Sequence, residues 1–184
     1  MLIDCSQQAL NGSMTRRRAL AAGTALLASS MAQAQVNEPV NRRAWPAGKP
    51  IPELSLKDTQ GKEWNLRELK GRPVLINFWA TWCEPCRSEM PSLELAAQRF
   101  ESDGLVVLAV DFRETDAAVN RFLSQYPISL PVLRDRDGAA ARAWGVRIFP
   151  TTVMVDRLGQ VRSLVHGEVD WTAATAKSWI AELL

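Results

Sequence analysis

A mixed α/β fold, with one central β-sheet flanked by helices on both faces and a β-hairpin extension at its N-terminal side, is predicted by three features of the chain. Val74–Ala80 and Leu105–Asp111 are nearly continuous apolar runs, with the β-branched and aromatic content of strands buried on both faces. A stretch of helical spacing follows each, over Glu84–Phe100 and Thr115–Ser124. Two further strand-like runs, Thr151–Asp156 and Gln160–His166, face each other across Arg157-Leu158-Gly159 as a hairpin. With 184 residues, 47% of them hydrophobic, the chain can bury the core of one ordinary domain.

The elements follow in order. Residues 35–50 carry Pro39, Pro46 and Gly48 with no periodicity and read as an extended lead-in. Glu53–Leu56 and Lys62–Trp64 flank the turn signal Asp58-Thr59-Gln60-Gly61, forming the hairpin extension. Leu66–Leu69 reads as one helical turn closed by Gly71, after which Arg72-Pro73 opens the first buried strand. The helix from Glu84 presents Met90, Leu93, Leu95, Ala96, Ala97 and Phe100, with Pro91 expected to kink it. Thr115 can cap the next helix, which carries Val119, Phe122 and Leu123. Leu130–Arg134 is a short strand, Gly138–Trp144 a short Ala-rich helix and Trp171–Leu184 a closing helix.

The N-terminus reads as an address. Thr15–Gln35, TRRRALAAGTALLASSMAQAQ, has the basic, mildly apolar and A-x-A order of an export signal, so residues 1–34 are expected to be removed after Ala34. Thr15-Arg16-Arg17-Arg18-Ala19-Leu20 is compatible with twin-arginine export and the apolar run with the Sec route. The run falls short of the roughly 20 apolar residues of a membrane span, which argues against a permanent anchor. The other alternative, a disordered basic tail, would not be expected to end in Ala32-Gln33-Ala34. Met14 stands directly before the pattern and is a candidate second start.

Charge excludes other classes. The formal net charge of +2 is accounted for by Arg16–Arg18 against Asp4, so the remaining chain is balanced and no nucleic-acid-binding surface is indicated. One histidine and three cysteines rule out a His-rich metal site and a disulfide scaffold. Cys5 lies in the expected signal, which leaves Cys83 and Cys86 as the only cysteines of the mature chain.

A lone Cys83-Glu84-Pro85-Cys86 pair at the start of a helix points to thiol–disulfide exchange. The first sulfur sits where unpaired backbone N–H groups and the helix dipole favour a thiolate, so Cys83 is the attacking residue and Cys86 the resolving one. No cofactor is needed beyond the Cys83–Cys86 disulfide. Structural zinc needs about four ligands, and only His166 could join the two thiols. Covalent haem needs C-x-x-C-H, and Arg87 follows Cys86. An inert disulfide across two residues would close too small a loop to stabilise much. Glu84 opposes the helix dipole beside Cys83, which points to a less acidic nucleophile and a reducing poise. Trp79, Trp144, Trp171 and Trp179 are expected to pack, and His166 to sit at a strand end without catalytic work. Arg87 is either a solvated helix charge or a guide for acidic partners.

The segments INFWATWCEPCRSEMPSLE, Ile76–Glu94, and IFPTTVMVD, Ile148–Asp156, resemble the thioredoxin superfamily. More narrowly they are similar to the exported TlpA/ResA-like thiol-disulfide oxidoreductases, which include cytochrome c maturation reductases. The likeness covers Ile51–Leu184, and it implies a thioredoxin fold over that range. It implies that Pro150 is a cis proline whose loop faces Cys83 and offers backbone groups to a partner chain, with Phe149 before it at a position that tunes partner choice. Trp82, Glu84, Pro85, Phe149 and Pro150 are accordingly the expected substrate-binding residues, and Cys83, Cys86 and Glu89 the catalytic ones. Ordinary thioredoxins carry a buried acid where this chain has Asn77. In the TlpA/ResA-like pattern C-x-x-C-x-x-E-x-P, matched by Glu89 and Pro91, the helix acid stands in for it and, if partly buried, would exchange protons with the thiols. The other reading of Glu89 is a solvated helix-face residue.

The implied activity is reduction of disulfides in exported proteins, apocytochrome c among them, with electrons from a membrane donor of DsbD or CcdA type. Other readings are a disulfide oxidant or isomerase, a thiol peroxidase, and a non-catalytic binding module. Peroxidases of this superfamily need Thr or Ser three residues before the attacking cysteine, where Ala80 stands.

Overall fold

The structure, a computed structural model, describes residues 41–184. The expected export signal, Cys5 and residues 35–40 of the lead-in lie outside the described residues. In chain order the elements are β1 (Asn41–Ala44), β2 (Ser55–Lys57), β3 (Glu63–Asn65), a 3-10 turn (Leu66–Leu69), β4 (Val74–Trp79), α1 (Glu84–Arg99), β5 (Val106–Phe112), α2 (Asp116–Gln125), β6 (Val132–Asp135), α3 (Ala139–Trp144), β7 (Thr151–Val155), β8 (Val161–His166) and α4 (Ala174–Ala181).

The apolar run that reads as a doubly buried strand becomes β4, and every one of its six residues is buried. It lies inside a six-stranded sheet of order β1-β8-β7-β4-β5-β6, parallel to β5 and antiparallel to β7. Alternation sends its side chains to two cores. Leu75 and Trp79 pack with Met90 and Leu93 of α1, Phe122 of α2 and Ile180 of α4. Val74, Ile76 and Phe78 pack with Leu54, Leu66 and the α3 residues Ala140, Ala141 and Trp144. Helices therefore cover both faces, with the β2–β3 hairpin bounding the second one. Trp79, Trp144 and Trp171 are all buried as expected, and the partly buried Trp179 lies under the Arg42 guanidinium at 5.4 Å.

The lead-in is extended but not free: β1 pairs antiparallel with β8 along Asn41↔His166 to Ala44↔Ser163. Backbone pairing needs no apolar period, so nothing in the side-chain pattern reveals it, and the strand covers an edge that β8 would otherwise leave open. Arg42 ties it down, donating to Ser163 Oγ at 3.0 Å and to both carboxylate oxygens of Glu182. The closing helix is shorter than its pattern. Asp170 Oδ1 accepts from Thr172 N at 2.8 Å and from Thr172 Oγ1, a local turn that delays α4 to Ala174 while Trp171 enters the core. Pro91 lies within α1 on its exposed side, and its missing N–H leaves the Arg87 carbonyl without a helical donor.

Leu93 is the residue through which α1 closes on β4. Leu93→Ala is expected to destabilise the protein by about 2–5 kcal/mol, measured as a lower urea midpoint at unchanged slope.

Candidate active site

The chain leaves β4 at Trp79, turns through Ala80-Thr81-Trp82 and enters α1 at Cys83, its N-cap. Cys83 and Cys86 form a disulfide with Cα atoms 5.3 Å apart, and the Cys86 N–H donates to Cys83 Sγ at 3.3 Å. That donor belongs to the first turn of the helix, the place that stabilises negative charge on sulfur. The two sulfurs are not equivalent to a partner: Cys83 keeps 6% exposure and Cys86 none. Glu84 and Pro85, between them, are exposed. Glu84 forms an ion pair with Arg87, three residues on, so its opposition to the helix dipole is partly neutralised.

Glu89 lies one turn beyond Cys86 on the same face of α1 and is buried, which excludes the solvated-face reading. Asn77 Nδ2 donates to its Oε1 at 2.6 Å, and Val169 N donates to its Oε2 at 3.1 Å. Burial outweighs those donors and pushes the carboxyl up to about 8. Asn77, on the β4 face that meets α1, also donates to Thr152 Oγ1 at 2.9 Å, while its Oδ1 has no hydrogen-bond partner.

The Phe149–Pro150 peptide is cis, as the family likeness implies. The Pro150 carbonyl accepts from Gly167 N at 3.0 Å, so that group is already engaged. Among the described residues, the N–H and C=O of Phe149 make no hydrogen bond. The Phe149 ring stands edge-on to Trp82 at 6.0 Å and packs on Phe112 at 4.8 Å, which places this loop beside the disulfide. Trp82 is 64% exposed. His166 terminates β8 with Nδ1 2.9 Å from Thr151 Oγ1, a structural contact.

Sequence reasoning missed a second acidic cluster under the same turn. Asp111, the last residue but one of β5, lies opposite Trp79, is fully buried, and pairs with buried Arg134 at 3.1 Å. Glu114 accepts from both Thr81 N and Thr81 Oγ1 at 2.6 Å, gripping the segment two residues before Cys83. Burial, then the hydrogen bond and charge of Glu114, push Asp111 up to about 8 against the opposing effect of Arg134. Asp111 Oδ1 has no donor in reach, and only a protonated Asp111 can turn its contact with Glu114 into a hydrogen bond. The visible signal was an acid closing an otherwise apolar buried run.

Residues 47–164 match the AhpC/TSA family. The thiol-disulfide oxidoreductase ResA of Bacillus thuringiensis is 37% identical over 121 residues, 66% of this chain and 70% of the relative. ResA of Bacillus subtilis is 38% identical over 120 residues, 65% of this chain and 67% of the relative. The chain belongs to the thioredoxin superfamily, among its ResA-like thiol-disulfide oxidoreductases. A crystal structure of a thiol:disulfide interchange protein from Chlorobium tepidum superimposes with a TM-score of 0.64 at 26% identity, covering 76% of this chain and 99% of that one. Thiol–disulfide exchange is the activity this family membership supports, and among the described residues Cys83–Cys86 is the disulfide.

Both buried acids hold protons in the folded state more tightly than when unfolded. Their contribution to stability is complete below about pH 4 and is lost as pH rises through about 8. Urea midpoints at pH 5, 7 and 9 should therefore fall with pH. Glu89→Gln and Asp111→Asn should each flatten part of that fall, and the double variant most of it.

Proposed function

We propose that the protein is an extracytoplasmic disulfide reductase, working on cystines of exported proteins with apocytochrome c as the leading candidate class. The observation that carries this reading is the pairing of an accessible Cys83 with a sealed Cys86 that has a buried acid one turn away. In the reduced protein the Cys83 thiolate attacks a partner disulfide, one partner sulfur leaves and takes a proton, and a mixed disulfide forms at Cys83. Cys86 then attacks Cys83, which releases the second partner thiol and leaves the protein oxidised. A carboxyl near 8 is close to the ordinary thiol range, so the minor ionised fraction of Glu89 at neutral pH can take the Cys86 proton as the thiolate forms and give it back when the pair is reduced again.

The exposed Trp82, the unbonded Phe149 backbone and Pro85 form the surface on which a partner chain would lie, and Glu84 flanks it. The export pattern ending at Ala34 supports a compartment outside the cytoplasm, reached by the twin-arginine or Sec route. Such a space is oxidising, so a reductase there needs electrons from a membrane donor of DsbD or CcdA type. Among the described residues no helix is long and apolar enough to cross a membrane.

Equilibration in graded thiol–disulfide buffers should yield a potential near or below about −220 mV, and a value near −120 mV would overturn the reading in favour of an oxidant. Cys86→Ser should accumulate mixed disulfides with its substrates, whereas Cys83→Ser should form none. Full biological activity in the double variant would instead mark a binding module.

A further inference from the structure

Arg113 is the one non-glycine residue with positive φ among the described residues, at +56°, while eight glycines take the other such positions. An arginine in the left-handed region costs roughly 1 kcal/mol or more and persists only where its surroundings hold it. They do so here. Its N–H donates to Asp135 O at 3.0 Å, and its stem lies over Gly138, where an added Cβ would come within 2.8 Å of Arg113 Cδ and 2.7 Å of Phe112 Cε2. Local preference would put glycine at 113, yet the fold keeps a side chain there and clears room for it with a buried glycine.

Arg113 is an exposed residue and forms no ion pair among the described residues. Its neighbour is the Phe112 ring, 5.9 Å from Cζ. Phe112 leads to Phe149 and Phe149 to Trp82, beside Cys83, by ring separations of 4.8 and 6.0 Å. The aromatic band thus runs from the disulfide to a free cation within the reach of about five extended residues. Arg147, two residues before Phe149, is exposed and likewise without an ion pair. On the acidic side, Glu84 is held by Arg87 and Glu114 by Thr81, leaving Glu168, next to Gly167, as an exposed carboxylate near the proline loop.

We propose that Arg113 is a specificity-determining residue that binds a carboxylate flanking the cystine under attack, so that the preferred partner is a protein disulfide with acidic neighbours. The inference rests on the reductase reading above and adds the substrate class. The electron balance is that of the exchange itself: two electrons and two protons pass from the Cys83–Cys86 dithiol to the partner cystine, which leaves as two thiols.

The test is single-turnover reduction by pre-reduced protein, followed by tryptophan fluorescence. The two peptides are identical except that the residues flanking their intrachain disulfide are Asp and Glu in one and Lys in the other. Wild type should reduce the acidic peptide about threefold faster at low salt, with the difference disappearing at 1 M salt. Arg113→Gly, which suits the left-handed backbone, should bring the ratio of the two rates to about one, and Arg113→Glu should invert it. A wild-type ratio near one, or a preference that survives both substitutions, overturns the inference and leaves thiol–disulfide exchange standing. Failure of the wild type to reduce either peptide or hydroxyethyl disulfide overturns the exchange reading and this inference together.

Discussion

Burial of β4 on both faces is the constraint from which the rest of the site follows. Every side chain from Val74 to Trp79 is removed from water, so the one polar residue among them, Asn77, must find its partners inside the protein. It finds Glu89 across the α1 interface and Thr152 on β7. One amide thereby links the central strand, α1 and the strand that follows the cis proline. The same burial makes β4 a rigid base, and the sharp exit after Trp79 delivers Cys83 to the end of the sheet, where the first turn of α1 supplies unpaired N–H groups.

The site is built on asymmetry around that base. Cys86 and Glu89 share the sealed face of α1, while Cys83, Trp82 and Phe149 meet solvent or its edge. Beneath the turn a second set of charges, Asp111, Glu114, Arg134 and Asp116, braces Thr81 and the end of β5. Buried acids are costly, and both are kept near neutrality by proton retention rather than by full pairing.

Where the chain signals structure through side chains, sequence and structure agree closely. β4, β5, α1 and α2 fall within a residue or two of their patterns, and Thr115 caps α2 by accepting from Ala118 N. Where structure depends on backbone pairing or a local polar turn, the pattern is silent or misleading. β1 has only charged and small residues at Arg42, Arg43 and Ala44, and α4 begins late because Asp170 competes for the backbone with its own side chain. The ion pair between Glu84 and Arg87 was within reach of simple helical spacing, since the two residues stand three apart.

What the sequence determined by itself is the chemistry: two thiols at a helix start after a buried strand, a nearby acid at Glu89 and a proline at 150, all readable because each is a local arrangement of residue types. Only the tertiary structure decided how that chemistry is tuned. Burial raises the pKa values of Glu89 and Asp111, against the opposing effect of partners distant in the chain, Val169 for the first and Arg134 for the second. The aromatic band and the stance of Arg113 arise from β5, α3 and the proline loop meeting at one edge. Burial and long-range contact set these properties, and neither has a signature in local spacing.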